Sequence, residues 1–308
     1  MVAAVAAVAC SGSAFSSGDS ASQACTDLAT NLCNKLDSCA PFLVTYAYGS
    51  ASECATRLQI NCPNVITANG SGATASDVEA CAQALSSTSC ADLESNSQPS
   101  ACQIAGTLAA GTPCGANEQC AGPNGYCKIA SGAVCGACAT LSAAGGTCSV
   151  NGDCQTGLVC GTAVGATSGA CVTPGAAGAM CDAAHPCQGT LGCYNATCSS
   201  PVEAGQACDV LAQNCDFGQG QYCDLSSKVC AQVQTATAGE ACGHSASTNT
   251  YTVCANEAPC NGSSLTTPGT CGAVAADGAP CGPNMANCQA PAVCVNGACT
   301  VPDASSCQ

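Results

Sequence analysis

The stretch "AAGGTCSVNGDCQTGLVCGTAVGATSGAC", residues 143–171, decides how this chain folds. Its four cysteines, Cys148, Cys154, Cys160 and Cys171, are separated by Gly, Asn, Ser and Thr, with few large apolar side chains between them. A segment of this kind cannot hold itself together by burying a core, so its cysteines must do so. The grammar recurs. A lead-in rich in Ala and Gly ends on a cysteine six times: AAGTPC at Cys114, AGGTC at Cys148, AAGAMC at Cys181, EAGQAC at Cys208, TAGEAC at Cys242 and ADGAPC at Cys281, at steps of 34, 33, 27, 34 and 39 residues. Fixed self-similarity of this length is the signature of a repeat architecture.

Each lead cysteine is followed by three more. The sets are Cys114, Cys120, Cys127 and Cys135; Cys148, Cys154, Cys160 and Cys171; Cys181, Cys187, Cys193 and Cys198; Cys208, Cys215, Cys223 and Cys230; Cys242, Cys254, Cys260 and Cys271; and Cys281, Cys288, Cys294 and Cys299. Cys138 and Cys307 stand as supernumeraries. The closing segments read as hairpins: in Val293-Cys294-Val295-Asn296-Gly297-Ala298-Cys299 the Asn-Gly pair is a strong two-residue turn signal that sets the two cysteines opposite each other. Gly and Ala before each lead cysteine suit a close turn in which a bulkier side chain would block packing on a bridge.

The rest of the composition agrees. Leu, Ile, Val and Phe together are 41 of 308 residues, about 13%, too little for an ordinary core. Cysteine, at 35 residues, is above the level that marks a disulfide scaffold, and such usage belongs to an oxidising compartment. CxxC occurs once, at Cys135–Cys138, and the chain has two histidines, His185 and His244, so a zinc framework is not the reading. The formal net charge is −15 with four basic side chains, Lys35, Lys128, Lys228 and Arg57. No basic patch can form, and nucleic acid is excluded as a partner.

Residues 21–104 follow another grammar. Ser20-x-x-Gln23, Ser50-x-x-Glu53 and Thr74-x-x-Asp77 are helix-start patterns, each leading into apolar residues at helical spacing, most clearly Val78, Cys81, Ala82 and Leu85. Pro41 and Pro63 close the first two. The eight cysteines here are Cys25, Cys33, Cys39, Cys54, Cys62, Cys81, Cys90 and Cys102. Cys25 and Cys33 lie about 12 Å apart on one helix, beyond the roughly 7 Å a bridge allows, so both must tie that helix to other elements. The full pairing stays open among 105 connectivities.

The first residues decide the compartment. Val2–Ala9 is a short apolar run like the end of a secretory h-region. Ala7-Val8-Ala9 suits ordinary signal cleavage, and Ala7-Val8-Ala9-Cys10 resembles the lipobox of bacterial lipoproteins, in which the cysteine carries lipid and Ser11 resembles an outer-membrane sorting residue. A cysteine count of 35 is odd, and setting Cys10 aside leaves an even number; loss of Cys10 within a longer signal would do the same.

Residues 114–171, with the Cys135–Cys138 pair midway and Gly152-Asp153-Cys154 approaching the second set, resemble the Dickkopf N-terminal cysteine-rich region, departing from it where Gln155 follows Cys154. The later modules resemble only its second half. The chain as a whole is similar to secreted cysteine-rich lipoproteins of high-GC bacteria. The family's receptor antagonism in animals is not implied here, because cysteine spacing reports fold.

The expectation is therefore a small disulfide-rich protein, with an N-terminal small α-helical cysteine domain followed by an elongated array of short β-hairpin, loop-rich cystine modules. The units are a signal remnant over 1–9, a lipidated Cys10 and tether over 10–20, a four-disulfide helical domain over 21–104, and six modules over 109–308 starting near 111, 145, 178, 205, 239 and 278. No catalytic, cofactor-binding or metal-binding residue is assigned. Cys135–Cys138 lacks the context of a redox pair, and the histidines read as exposed loop residues. Asn69, Asn195 and Asn261 head glycosylation sequons. The expected function is a non-catalytic, lipid-anchored structural or binding protein at the outer cell surface, meeting an extracellular protein or glycan through loops such as 243–253 and 261–270. The alternatives are a secreted protease inhibitor and a thiol-rich metal-binding protein.

Overall fold

The computed structural model describes residues 17–307 apart from 96, 131, 211–212, 246–249, 265–266 and 283–284. Six helices come first: α1 (Ser17–Cys39), α2 (Pro41–Tyr48), α3 (Ala51–Leu58), α4 (Cys62–Thr67), α5 (Ala75–Ser87) and α6 (Cys90–Glu94). α1 is the spine. Ala24, Cys25, Ala29 and Cys33 are buried along it; it packs beside α5, whose Val78, Cys81, Ala82 and Leu85 are buried, while Cys33 packs with Val44 and Cys54. Small side chains at this crossing let the helices approach closely, and Asn31 Nδ2 donates to the Ala82 carbonyl at 3.0 Å. Bridges replace the missing apolar bulk: Cys25–Cys62 ties α1 to α4, Cys33–Cys54 ties it to α3, Cys39–Cys90 ties it to α6, and Cys81–Cys102 anchors α5.

The helix starts are partly those of the sequence patterns. Thr74 forms a full capping box, its Oγ1 accepting from Asp77 N–H while Asp77 Oδ2 accepts from Thr74 N–H. Ser50 accepts from Glu53 N–H at 3.1 Å, but the Glu53 carboxylate accepts from Gln289 Nε2 instead. Ser20 lies inside α1, which is already under way at Ser17. Pro41 and Pro63 sit in the first turns of α2 and α4, where a missing N–H costs nothing. Ser89 caps α6 through Asp92 N–H, by the same four-residue spacing, which the sequence reading passed over.

The modules share one plan. In each the first cysteine bonds the third and the second bonds the fourth: 114–127 and 120–138, 148–160 and 154–171, 181–193 and 187–198, 208–223 and 215–230, 242–260 and 254–271, 281–294 and 288–299. The third and fourth cysteines face each other across an antiparallel hairpin, as in Cys294↔Cys299 and Cys127↔Cys138, yet each bonds elsewhere. The residue six before the lead cysteine (Leu108, Ser142, Gly175, Val202, Ala236 or Ala275) pairs in parallel with the second cysteine. Buried half-cystines form the module cores. Cys138 is therefore the fourth cysteine of the first module, and the supernumeraries are Cys135 and Cys307, because the hairpin register sets Cys138 rather than Cys135 opposite Cys127.

The lead-in glycine has a different role from the one its sequence suggests. Gly111, Gly145, Gly178, Gly205, Gly239 and Gly278 all have φ between 78° and 90°, and a Cβ on any of them would meet nothing within 4 Å. Backbone conformation, not space, requires glycine. In that conformation each donates its N–H to the carbonyl of the fourth cysteine at 2.8 Å. Gly178→Ala is expected to cost about 1–2 kcal/mol. Gly152→Ala, at a glycine without positive φ and with open space around its Cβ position, should be within about 0.5 kcal/mol of wild type. Thermal unfolding of the oxidised chain reads both, and equal losses would refute the conformational explanation.

The class and order of the units are those expected, but the path of the array is not elongated. The modules curve round the helical domain and the last returns to the first. Gln119, 1% exposed, donates to Asn69 O from the first module. Gly189 of the third lies against Ala91, and Gln219 Nε2 of the fourth donates to Cys39 O at 2.9 Å. Asn256 of the fifth packs on Gly49, and Asp277 of the sixth pairs with Arg57 at 2.7 Å. The second module joins through the first, where Tyr126 O–H donates to the buried Asp153 at 2.8 Å. Burial, then the hydrogen bond and charge of Asp153, push the Tyr126 hydroxyl up to about 12. Cys135–Cys307 closes the circuit across 172 residues. The helices thus form a hub and the modules a ring around it.

Candidate hub cleft

Where the ring crosses the hub between the third and fourth modules it leaves a cleft of about 890 Å3, within the range of small-molecule sites. Its floor is the C-terminal end of α1 with α2, through Leu36, Leu43, Val44 and Tyr48. One wall is α6 with Leu93 and Glu94; the opposite side is built by Leu191 and Tyr194 of the third module and by Asp216 and Phe217 of the fourth.

Local chemistry fixes these walls. Asp216 Oδ1 accepts from Gln219 N–H at 3.1 Å, tightening the loop that carries Phe217. The Phe217 ring meets Phe42 edge-on with centroids 5.3 Å apart, and Phe42 stacks on Tyr46 at 6.1 Å, an arrangement that favours aromatic pairs. Gln219 ties the loop to the end of α1. Gly192 lies beneath the Tyr194 ring, where a Cβ would displace it. Cys39–Cys90 fixes α6 to α1, and Cys215–Cys230 fixes the base of the Phe217 loop. Leu43 is 40% and Phe217 59% exposed, so apolar surface faces the opening.

The charged side chains of the cleft carry one sign. Glu94, Glu203 and Asp216 line it, with no Lys, Arg or His. Burial, and then the Asp216 carboxylate, push the Glu94 carboxyl above its ordinary range, and the same two influences raise the Tyr194 hydroxyl. All three groups line the cleft.

No motif announced this site. The available signal was scarcity: the chain has three Phe, six Tyr and no Trp, and Tyr48, Tyr194 and Phe217 converge here from positions far apart in sequence.

The residues singled out in the sequence fall elsewhere. Sulfurs of three cysteines approach within 4.8 Å in several modules, such as Cys114, Cys120 and Cys138, but each is half of a bridge, and a bridged sulfur presents no thiolate to a metal. The Cys135–Cys138 pair is split between Cys307 and Cys120. His185 Nδ1 lies 2.8 Å from Asp182 Oδ1, which also accepts from the Ala184 and His185 N–H groups; those contacts, led by the His185 side chain, hold the Asp182 carboxyl below its usual range. This is an exposed turn clamp. His244 is not in a loop: it lies in the strand Ala241–Ser245, opposite Tyr251. Of the loops expected to face a partner, 243–253 is largely that hairpin, and 261–270 is flanked by the paired strands Cys260–Asn261 and Gly269–Cys271. Cys10 lies outside the described residues. Among the described residues no helix is long and apolar enough to cross a membrane.

Comparison with family models, curated proteins and solved structures returns no match to this chain.

Proposed function

We propose that this chain is a non-catalytic binding protein, held at an outer cell surface through a lipid on Cys10, and that the hub cleft is its ligand site. Seventeen bridges mark an extracellular, disulfide-dependent protein, since such bridges persist only outside a reducing cytosol. The observation that carries the binding role is the cleft itself: apolar, about 890 Å3, with one wall, α6, bridged to α1 and the others carried by modules that their own bridges stiffen. A site formed in advance loses little ordering entropy on binding. For the anchor, every cysteine from Cys25 to Cys307 is bridged, which leaves Cys10 as the odd one of 35.

Nile red, a neutral apolar dye, tests the binding role on the oxidised full chain. Saturable one-to-one binding with a blue-shifted emission is expected. Leu43→Asn should weaken it about tenfold, the loss of one buried leucine contact. Failure of the dye to saturate at one site overturns the reading. For the anchor, the intact mass of membrane-extracted protein should start at Cys10 with acyl mass added; an unmodified Cys10 on the mature chain would remove it.

A further inference from the structure

The cleft offers three carboxylates, Glu94 from α6 with Glu203 and Asp216 from the fourth module, and no cationic side chain lines it. The ion pairs among the described residues are Arg57–Asp277, Lys128–Asp153 and His185–Asp182, so none of the three has a protein counter-ion. Carboxylates gathered in a partly desolvated site repel one another and hold the site at negative potential. The raised Glu94 carboxyl reports its burial first and then the nearby Asp216 charge. Beside these groups stand the rings of Tyr48, Tyr194 and Phe217, whose faces attract cations, and the apolar floor from Leu36 to Val44.

We propose that the hub cleft selects a small organic cation, an amine or guanidinium carried on an apolar body, whose charge meets Glu94 and Asp216 while its body lies on the aromatic and leucine surface. This rests on the cleft being the ligand site. Two features of the molecule favour a cation over a neutral or anionic ligand of the same shape. No cationic side chain lines the site to pair an anion's charge, and the chain's net charge of −15 raises the local concentration of cations and lowers that of anions. The apolar body is needed because an inorganic cation would leave the leucine and aromatic surface uncovered.

Three naphthalene compounds of nearly one shape separate the possibilities by displacing Nile red from the oxidised full chain: naphthylmethylammonium, naphthylmethanol and naphthoate. The ammonium compound is expected to bind about tenfold more tightly than the alcohol, with naphthoate weakest. The advantage should shrink as salt rises. It should vanish in Glu94→Gln/Asp216→Asn, which keeps side-chain shape, the ammonium and alcohol affinities being compared within that variant. If the alcohol matches the ammonium compound on the wild-type chain, the ligand class is wrong while the binding role stands, because Nile red reports the cleft independently. An ammonium preference that survives in the double variant also overturns the assignment, by placing the cation elsewhere. Loss of Nile red binding itself on the wild-type chain removes both readings.

Discussion

The double variant Cys135→Ser/Cys307→Ser is expected to open the ring and lower stability by about 2–4 kcal/mol. The bridge spans 172 residues, and for a bare loop of that length the chain-entropy argument gives about 5 kcal/mol. The loop is not bare: ten further bridges, from Cys148–Cys160 to Cys288–Cys299, lie wholly inside it and already shorten the unfolded chain. The effect therefore falls below the bare-loop value. Because every module keeps its own two bridges, the variant should retain hairpin structure while the sixth module loses its tie to the first. Thermal unfolding measures the stability, and small-angle scattering measures the expansion. An unchanged melting temperature and radius would show that the ring is held by the hub contacts alone.

The second large effect is expected at Arg57. This side chain is 8% exposed, with Nη1 and Nη2 each 2.7 Å from the Asp277 carboxylate, Nε donating to Ala290 O at 2.8 Å, and Nη2 also donating to Gln289 O. A planar fork that meets a carboxylate and two carbonyls cannot be replaced by lysine without loss. Arg57→Ala strands the two carbonyls and the carboxylate. Breaking a buried pair costs about 3–5 kcal/mol, and Asp277, at 39% exposed, regains water, so the expected loss is about 2–3 kcal/mol. The Arg57 variant and the opened ring should be non-additive, since each holds the sixth module in place for the other.

The same contact sets an acid limit. The Arg57 hydrogen bond is the main cause, outweighing burial, that holds the Asp277 carboxyl below its usual range. A carboxyl whose folded pKa is depressed contributes stability that is present above its unfolded value and is lost as pH falls through the folded one. The hub should keep the sixth module through mildly acidic conditions and release it only below the ordinary carboxylate range. Arg57→Ala should abolish that acid step, which hydrogen exchange in residues 275–299 would read directly.

How far these features were legible follows from their range in sequence. The lead-in grammar named the modules, and the Asn-Gly turn at 296–297 set Cys294 against Cys299, because a hairpin register depends on residues a few positions apart. The Thr74 cap was readable for the same reason. Cys135 and Cys138 were not separable, since both lie near the expected position and only the strand pairing opposite Cys127 distinguishes them. Glu53 looked like a capping glutamate and instead holds Gln289, because a contact more than two hundred residues away outcompeted the local one. The residue before the second cysteine had no visible role, yet Gln119, Asp153 and Asn287 each reach a neighbouring unit from there.

The sequence by itself determined that apolar burial could not hold this chain, that disulfides in an oxidising compartment must, and that a helical unit precedes six hairpin modules. These rest on composition, period and local turn chemistry. Only the tertiary structure decided which cysteine bonds which, that the array closes into a ring, and that a cleft opens where the ring crosses the hub. Every cysteine is chemically equivalent to every other, so partners are chosen by proximity, and proximity across 172 residues is a property of the folded chain alone.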